Sequence, residues 1–235
     1  MKTLVSLISF LAILLVALPG PLYKFGILEL GPAFTALRYG VFAGIGAIVL
    51  ILIQVIFLRK NISWANVAVS AIFALVAVGL PLSIMSKAKS VPPIHDISTD
   101  LTNPPKFIAI APLRADAPNP VEYAGEETAK QQKEAYPQLT SQIYSEPSSQ
   151  VFSATEAAIK ELGWELVNAD KSLGIIEATD TTAWFGFKDD VVVRIVTSGA
   201  DTIVDIRSKS RVGRSDLGKN AERIQQLFTT INNNL

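Results

Sequence analysis

Three long apolar runs fill the first 86 positions, and after them apolar and polar residues alternate at short spacing. "TLVSLISFLAILLVAL" (3–18), "YGVFAGIGAIVLILIQVIFL" (39–58) and "WANVAVSAIFALVAVGLPLSI" (64–84) contain no Asp, Glu, Lys, Arg or His. A helix needs about 20 apolar residues to cross a bilayer. The second and third runs meet that length, and the first is short enough to need a thinned bilayer or help from flanking residues. The lack of a clean small-x-small site in "VALPGP" argues against a cleaved signal peptide. Gly40, Gly44 and Ala47, with Gly46 alongside, form a small-residue flank of the kind that lets membrane helices approach closely. Without a buried ionisable group these runs read as an anchor rather than a transport path.

Residues 87–144 scatter proline through polar sequence ("VPPIHD", "NPPKF", "APLRADAPNP", "AYPQL"). Proline fixes φ and removes a donor, so this stretch reads as a linker or as an arm wrapping the following domain. Within it "KFIAIAPL" is expected to add an edge strand. From 145 to 235 the periodicity predicts helix, about four strands, helix. Val151, Phe152, Ala154, Thr155, Ala158, Ile159 and Leu162 mark the first helix, capped at Ser148 or Ser149 and stopped at Gly163. Leu217, Ala221, Ile224, Leu227, Phe228 and Ile231 mark the last, with Asp216 or Ser215 at its start. The fold class expected is therefore N-terminal transmembrane α-helices plus a C-terminal α+β domain, an antiparallel sheet with helices on one face.

Alternation fixes the register of the last hairpin. Pairing Thr197 with Thr202 places Val191, Val193, Ile195, Val204 and Ile206 on one face. The other face then collects Asp190, Val192, Arg194, Asp205, Arg207 and Lys209, with Arg194 opposite Asp205 and Asp190 opposite Lys209. These are read as charge pairs on a solvated face. Beyond the alternating part, Arg211, Gly213, Arg214 and Ser215 lie where a strand passes into a helix. Together with Arg207 and Lys209 they form a candidate cradle for phosphate, carboxylate or a lipid headgroup, since arginines and unpaired helix N–H groups both suit anions.

Composition narrows the chemistry. The mean hydropathy is +0.35, and 21 basic residues balance 21 acidic ones, which argues against nucleic acid as a partner. No cysteine is present and only one histidine, His95, which removes thiolate chemistry and most histidine-ligated metals. Neither cofactor nor metal is expected. His95 beside Asp96 lacks the geometry of a catalytic triad and reads as a backbone-bonded histidine where the arm docks. Asp189, Asp190 and Asp205, with Glu177, are the carboxylates available for acid–base work or for calcium or magnesium, and pairing with Lys188, Arg194 and Lys209 is the preferred reading of them. In "TTAWFGF" a regular strand would leave Trp184 or Phe185 exposed.

"GIIEATDTTAWFGFKDDVVVRI" and "VDIRSKSRVGRSDLGKNAERI", with "PPIHDISTDLTNPPKF" and "QQKEAYPQ" upstream, resemble the bacterial and plastid family catalogued as domain of unknown function 1499. The resemblance covers residues from about 91 to the C-terminus. It implies a membrane-anchored architecture and supplies no catalytic residue. The expected protein is a multi-pass envelope protein of the cytoplasmic membrane, its C-terminal domain on the periplasmic side and in contact with membrane lipid. That orientation follows from placing Arg59, Lys60 and the N-terminus inside. The domain is expected to bind an envelope partner or an anionic ligand. The alternatives are a hydrolase or transferase of a lipid or cell-wall precursor, and a structural subunit assembled through the Gly44 face.

Overall fold

The computed structural model describes residues 2–58 and 62–235; Arg59 and Lys60, on which the orientation rests, lie outside the described residues. The chain divides into two compact units, Met1–Lys89 with Ala183–Gly186, and Ser90–Thr182 with Phe187–Leu235.

The first unit is helical: α1 (Lys2–Ala17), α2 (Pro19–Lys24), α3 (Leu30–Phe57) and α4 (Trp64–Ser90). Three stretches, counting α1 and α2 as one, are long and apolar enough to cross a membrane. The second starts at Leu30, nine residues before the apolar run does. Pro32 fits in a first helical turn, and Arg38 lies inside the helix, 5.6 Å over the Phe42 ring. The small-residue flank is used within the chain. A Cβ on Gly40 would meet Val16 and Ala12, and one on Gly44 would meet Val78 and Ala74. The Gly44 face is thus occupied by α4 and is not free for a second subunit.

Pro21 has no N–H to give the carbonyl of Ala17, four residues back. That acceptor takes the indole N–H of Trp184 instead, at 3.1 Å. Phe185 lies between Tyr23 and Phe34, with ring centroids 5.9 and 5.8 Å away. Residues 182–187 form a turn rather than a strand, with Gly186 at φ 68°. The alternation rule therefore does not hold there, and Phe185 is buried while Trp184 is half-buried.

The second unit is built on an antiparallel sheet. Its strands are β1 (Asp96–Ser98), β2 (Gln142–Tyr144), β3 (Glu165–Asp170), β4 (Ile175–Thr181), β5 (Lys188–Ser198) and β6 (Asp201–Ser210). The order is β1-β6-β5-β4-β3, and β2 shares the β6 edge with β1. Four strands come from the compact C-terminal sequence; the Pro-rich stretch supplies the other two. "KFIAIAPL" is not one of them. Its residues lie in bends and in a 3₁₀ turn, Ala111–Arg114. The helices are α5 (Glu126–Ala135), α6 (Ser148–Glu161) and α7 (Lys219–Asn233).

β5 and β6 adopt the register that alternation requires, Thr197 opposite Thr202 and Arg194 opposite Asp205. Pairing continues to Ser198 and Asp201, which shortens the loop to Gly199–Ala200 with Gly199 at φ 65°. The apolar face, Val191, Val193, Ile195, Val204 and Ile206, packs under α6 and α7 as the main core. Helix α6 ends with Gly163 at φ 73°, but it starts on Ser148 itself, with Pro147 in the cap position and no side-chain cap. Leu217 lies outside α7, at φ 59°. Phe107, Ile110, Ile175 and Val192 make a second, smaller core on the opposite face. Both faces of the sheet are therefore covered, one by helices and one by the Pro-rich arm.

Candidate functional site

The charged face of the sheet lies under that arm. Arg207 is 2% and Lys209 1% exposed, which corrects the solvated face expected from alternation. Strand geometry aims both side chains away from the helices, and the chain that meets them comes from 86 to 113 residues upstream.

Asp96, fully buried on β1, is their common counterion. Arg207 grips it with two bonds, Nε to Oδ1 at 2.9 Å and Nη2 to Oδ2 at 3.0 Å. Lys209 Nζ donates to Asp96 Oδ2 at 3.0 Å, and the Ala124 N–H donates to the same oxygen at 3.0 Å. The guanidinium also donates to the Pro105 and Val121 carbonyls and lies over the rings of Phe107 and Tyr123, at 4.9 and 5.4 Å. Lys209 also donates to the Glu122 carbonyl. Burial, reinforced by Arg207 and Arg114, pulls the Lys209 ammonium below its ordinary pKa although Asp96 opposes this.

Asp190 is the second node. Opposite Lys209 in the ladder, it pairs with arginines instead. Arg114 Nη1 donates to its Oδ2 at 2.6 Å, and Arg211 reaches both carboxylate oxygens at 2.8 Å. Thr179 donates the remaining bond at 2.7 Å. The third node is Arg194, which bridges Asp205 at 2.7 Å and Asp100 at 2.8 Å. Burial opposes protonation of Arg194, but hydrogen bonds to these two carboxylates lift its pKa.

Glu177, fully buried on β4, meets no cation in this network. It accepts the backbone N–H groups of Ile108, Ala109 and Ile110 at 2.7, 2.7 and 3.1 Å. The apolar run of "KFIAIAPL" thus folds around a carboxylate rather than into a ladder. Gln132 on α5 closes the outer edge of β1 in the manner of a strand, accepting the Ser98 N–H and donating to the Ser98 carbonyl. Five cations (Arg114, Arg194, Arg207, Lys209, Arg211) and five carboxylates (Asp96, Asp100, Glu177, Asp190, Asp205) are the charges these contacts engage, so the arm is held with no net charge.

The helix N-terminus offered for an anion is filled from within. The Asp216 carboxylate accepts the N–H groups of Gly218 and Asn220 at 2.8 and 2.7 Å, and the Ser215 hydroxyl accepts that of Leu217. Burial raises the Asp216 pKa against those bonds. His95 lies close by. Burial and Lys209 lower its pKa, although the Arg214 backbone and Asp96 oppose this. Of the proposed cradle, only Gly213 and Arg214 are exposed, and Arg214 has no ion partner among the described residues.

The carboxylates expected for acid–base work do not converge. Asp189 and Asp190, as neighbours in β5, point to opposite faces. Asp189 pairs with Arg223, which also holds Asp180 and bonds Asn220 and Ser208; burial raises the Asp189 pKa. Asp205 is held by Arg194, Thr99 and Ser141. Among the described residues no group of three or more His, Asp or Glu could hold a metal ion.

Residues 96–231 match the model of a family described as protein of unknown function (DUF1499). The chain belongs to the DUF1499 family. The match begins on Asp96, the counterion of the first node, so the DUF1499 region takes in the arm as well as the helices and sheet. No curated protein matches the chain.

Sequence reasoning placed Arg194, Asp205, Arg207 and Lys209 on one face, noted Asp96 only beside His95 and Glu177 only as a free carboxylate, and missed Arg114. The available signal was an excess of charge on one strand face with too few partners on that face.

Two tyrosines report on this packing. Burial, with Asp96 adding, pushes Tyr123 up to about 12; burial, with Glu146 adding, does the same for Tyr144. A pKa raised by folding stabilises the fold below the ordinary tyrosine value of about 10, and that contribution is lost as pH rises through the folded value. Alkaline titration should ionise Tyr123 and Tyr144 only near pH 12, together with loss of circular dichroism. Ionisation of Tyr123 and Tyr144 near pH 10 in a folded protein would contradict their buried placement.

Proposed function

We propose that the protein is a membrane-anchored envelope protein whose α+β unit is a binding module and not a catalyst. On this reading the unit lies outside the cytoplasmic membrane, on the periplasmic side, and recognises an envelope partner or an anionic ligand there. The observation that carries it is the engagement of the charged face. Asp96 and Asp190 hold Arg207, Lys209, Arg114 and Arg211 inside the unit, so the groups that resembled reactive machinery fasten the arm. A permanently clamped frame is suited to presenting a surface rather than to moving protons. An anionic partner would meet the exposed Gly213 and Arg214, through the Arg214 side chain.

The test is extraction of the full-length protein in mild detergent, with mass spectrometry of what accompanies it, for wild type and Arg214→Ala. A species accompanying wild type in stoichiometric amount and lost from the variant is the expected result. Recovery of bulk lipid alone overturns the binding module, and equal recovery with both proteins overturns the role of Arg214.

A further inference from the structure

Two clefts, of about 420 Å³ and 220 Å³, flank residues 138–142 and share Leu139 and Thr140 as a common wall. Adjoining through these two residues, they form a paired depression on the second unit, and none of residues 207–215 lines it. Its chemistry is unlike the rest of that face. Only Asp100 and Lys133 among its lining residues carry charge, and Asp100 is already engaged by Arg194 and by the N–H groups of Thr102 and Asn103. The remaining polar lining is amide and hydroxyl.

We infer that this depression binds a neutral polyhydroxylated chain, a glycan strand; the inference rests on the binding-module reading above and assigns it a second ligand class. A lone lysine is poor provision for a polyanion, and a cation would find Asp100 taken. Side-chain amides each donate and accept, which matches the paired donor and acceptor character of sugar hydroxyls. Gln138 and Gln225 are exposed, and their amides make no hydrogen bond among the described residues. Gln142 and Asn232 are set in place by the Tyr144 hydroxyl, 2.8 Å from Gln142 Oε1 and 2.9 Å from Asn232 Oδ1. Fixing such groups before the ligand arrives lowers the entropy lost on binding. Leu139, Pro137 and Tyr136 supply apolar surface for the C–H faces of sugar rings. A peptide would need a long open strand edge or deep apolar pockets, and β2 is only three residues long.

The experiment is calorimetric titration of the full-length protein, in a detergent without a sugar headgroup, with neutral hexasaccharides of glucose and of N-acetylglucosamine. A neutral unstructured peptide serves as competitor. Saturable binding to one hexasaccharide is expected, weakened about tenfold or more by Gln138→Ala with Gln225→Ala, since two neutral hydrogen bonds contribute about that much. Arg214→Ala should leave it unchanged, and both proteins should keep the wild-type unfolding midpoint. Absence of saccharide binding overturns the inference; the binding-module reading then stands if an Arg214-dependent species still accompanies the protein. Binding unaffected by the glutamine substitutions overturns the site, and displacement by the peptide overturns the ligand class.

Discussion

Asp96→Asn should destabilise the second unit by about 3–5 kcal/mol, the usual cost of breaking a buried ion pair from one side. Arg207 and Lys209 are both buried, and Asp96 is the carboxylate they share. The substitution keeps the shape of the side chain but removes the charge. It also sets an amide NH2 against donors, because Arg207, Lys209 and the Ala124 N–H all point at the two oxygens. Arg207 would keep its bonds to the Pro105 and Val121 carbonyls, so local unfastening of the arm is expected before global unfolding. Thermal unfolding of the detergent-solubilised protein should show a midpoint lower by roughly 10–15 °C, and limited proteolysis should cut earliest within residues 91–144. An unchanged midpoint with an arm still protected would mean that ring stacking and carbonyl contacts suffice, and that the ion pairs add nothing net.

Gly174→Ala is the second large effect, and its cause is steric. Gly174 closes the β3–β4 turn at φ 65°, and a Cβ there would lie 2.2 Å from the Ile195 carbonyl oxygen. The colliding atom belongs to the backbone of β5, which cannot swing aside as a side chain can. Its neighbour, the Ile195 N–H, donates to the Gly174 carbonyl at 2.8 Å, so moving the turn breaks a ladder bond as well. The combined loss is at least about 3 kcal/mol, above the 1–3 kcal/mol of a strained backbone conformation alone. Gly199→Ala separates the two contributions. Gly199 has the same φ but nothing within 4 Å of its would-be Cβ, so it carries the conformational cost without the collision. The same chemical unfolding measurement on both variants should therefore rank Gly174→Ala well above Gly199→Ala. Equal effects would show that the turn relaxes around the added methyl.

How much of this was legible beforehand depends on the range of the interaction. Period-two alternation gave the β5–β6 register and the membership of each face, because adjacent strands constrain each other through a short loop. It assigned Arg194 to Asp205 for the same reason. It paired Lys209 with Asp190, wrongly, because cross-strand proximity competes with partners on another layer. Arg114 and Arg211 take Asp190, while Lys209 turns to Asp96, 113 residues away in sequence. The apolar run of "KFIAIAPL" shows the same limit. Its residues have strand propensity, but three of its N–H groups bind the Glu177 carboxylate, and a buried carboxylate outweighs a three-residue ladder.

The sequence by itself determined where the chain is apolar enough to lie in lipid and which side chains of the last hairpin share a strand face. Those properties follow from composition and from the 2.0 and 3.6 residue periods, which are local. Only the tertiary structure decided what covers each face. It placed the arm over the cations, α4 against Gly44, and the Trp184 indole on a carbonyl left open by Pro21. Such contacts join segments tens to more than a hundred residues apart, and no periodicity within a segment encodes the identity of a distant partner.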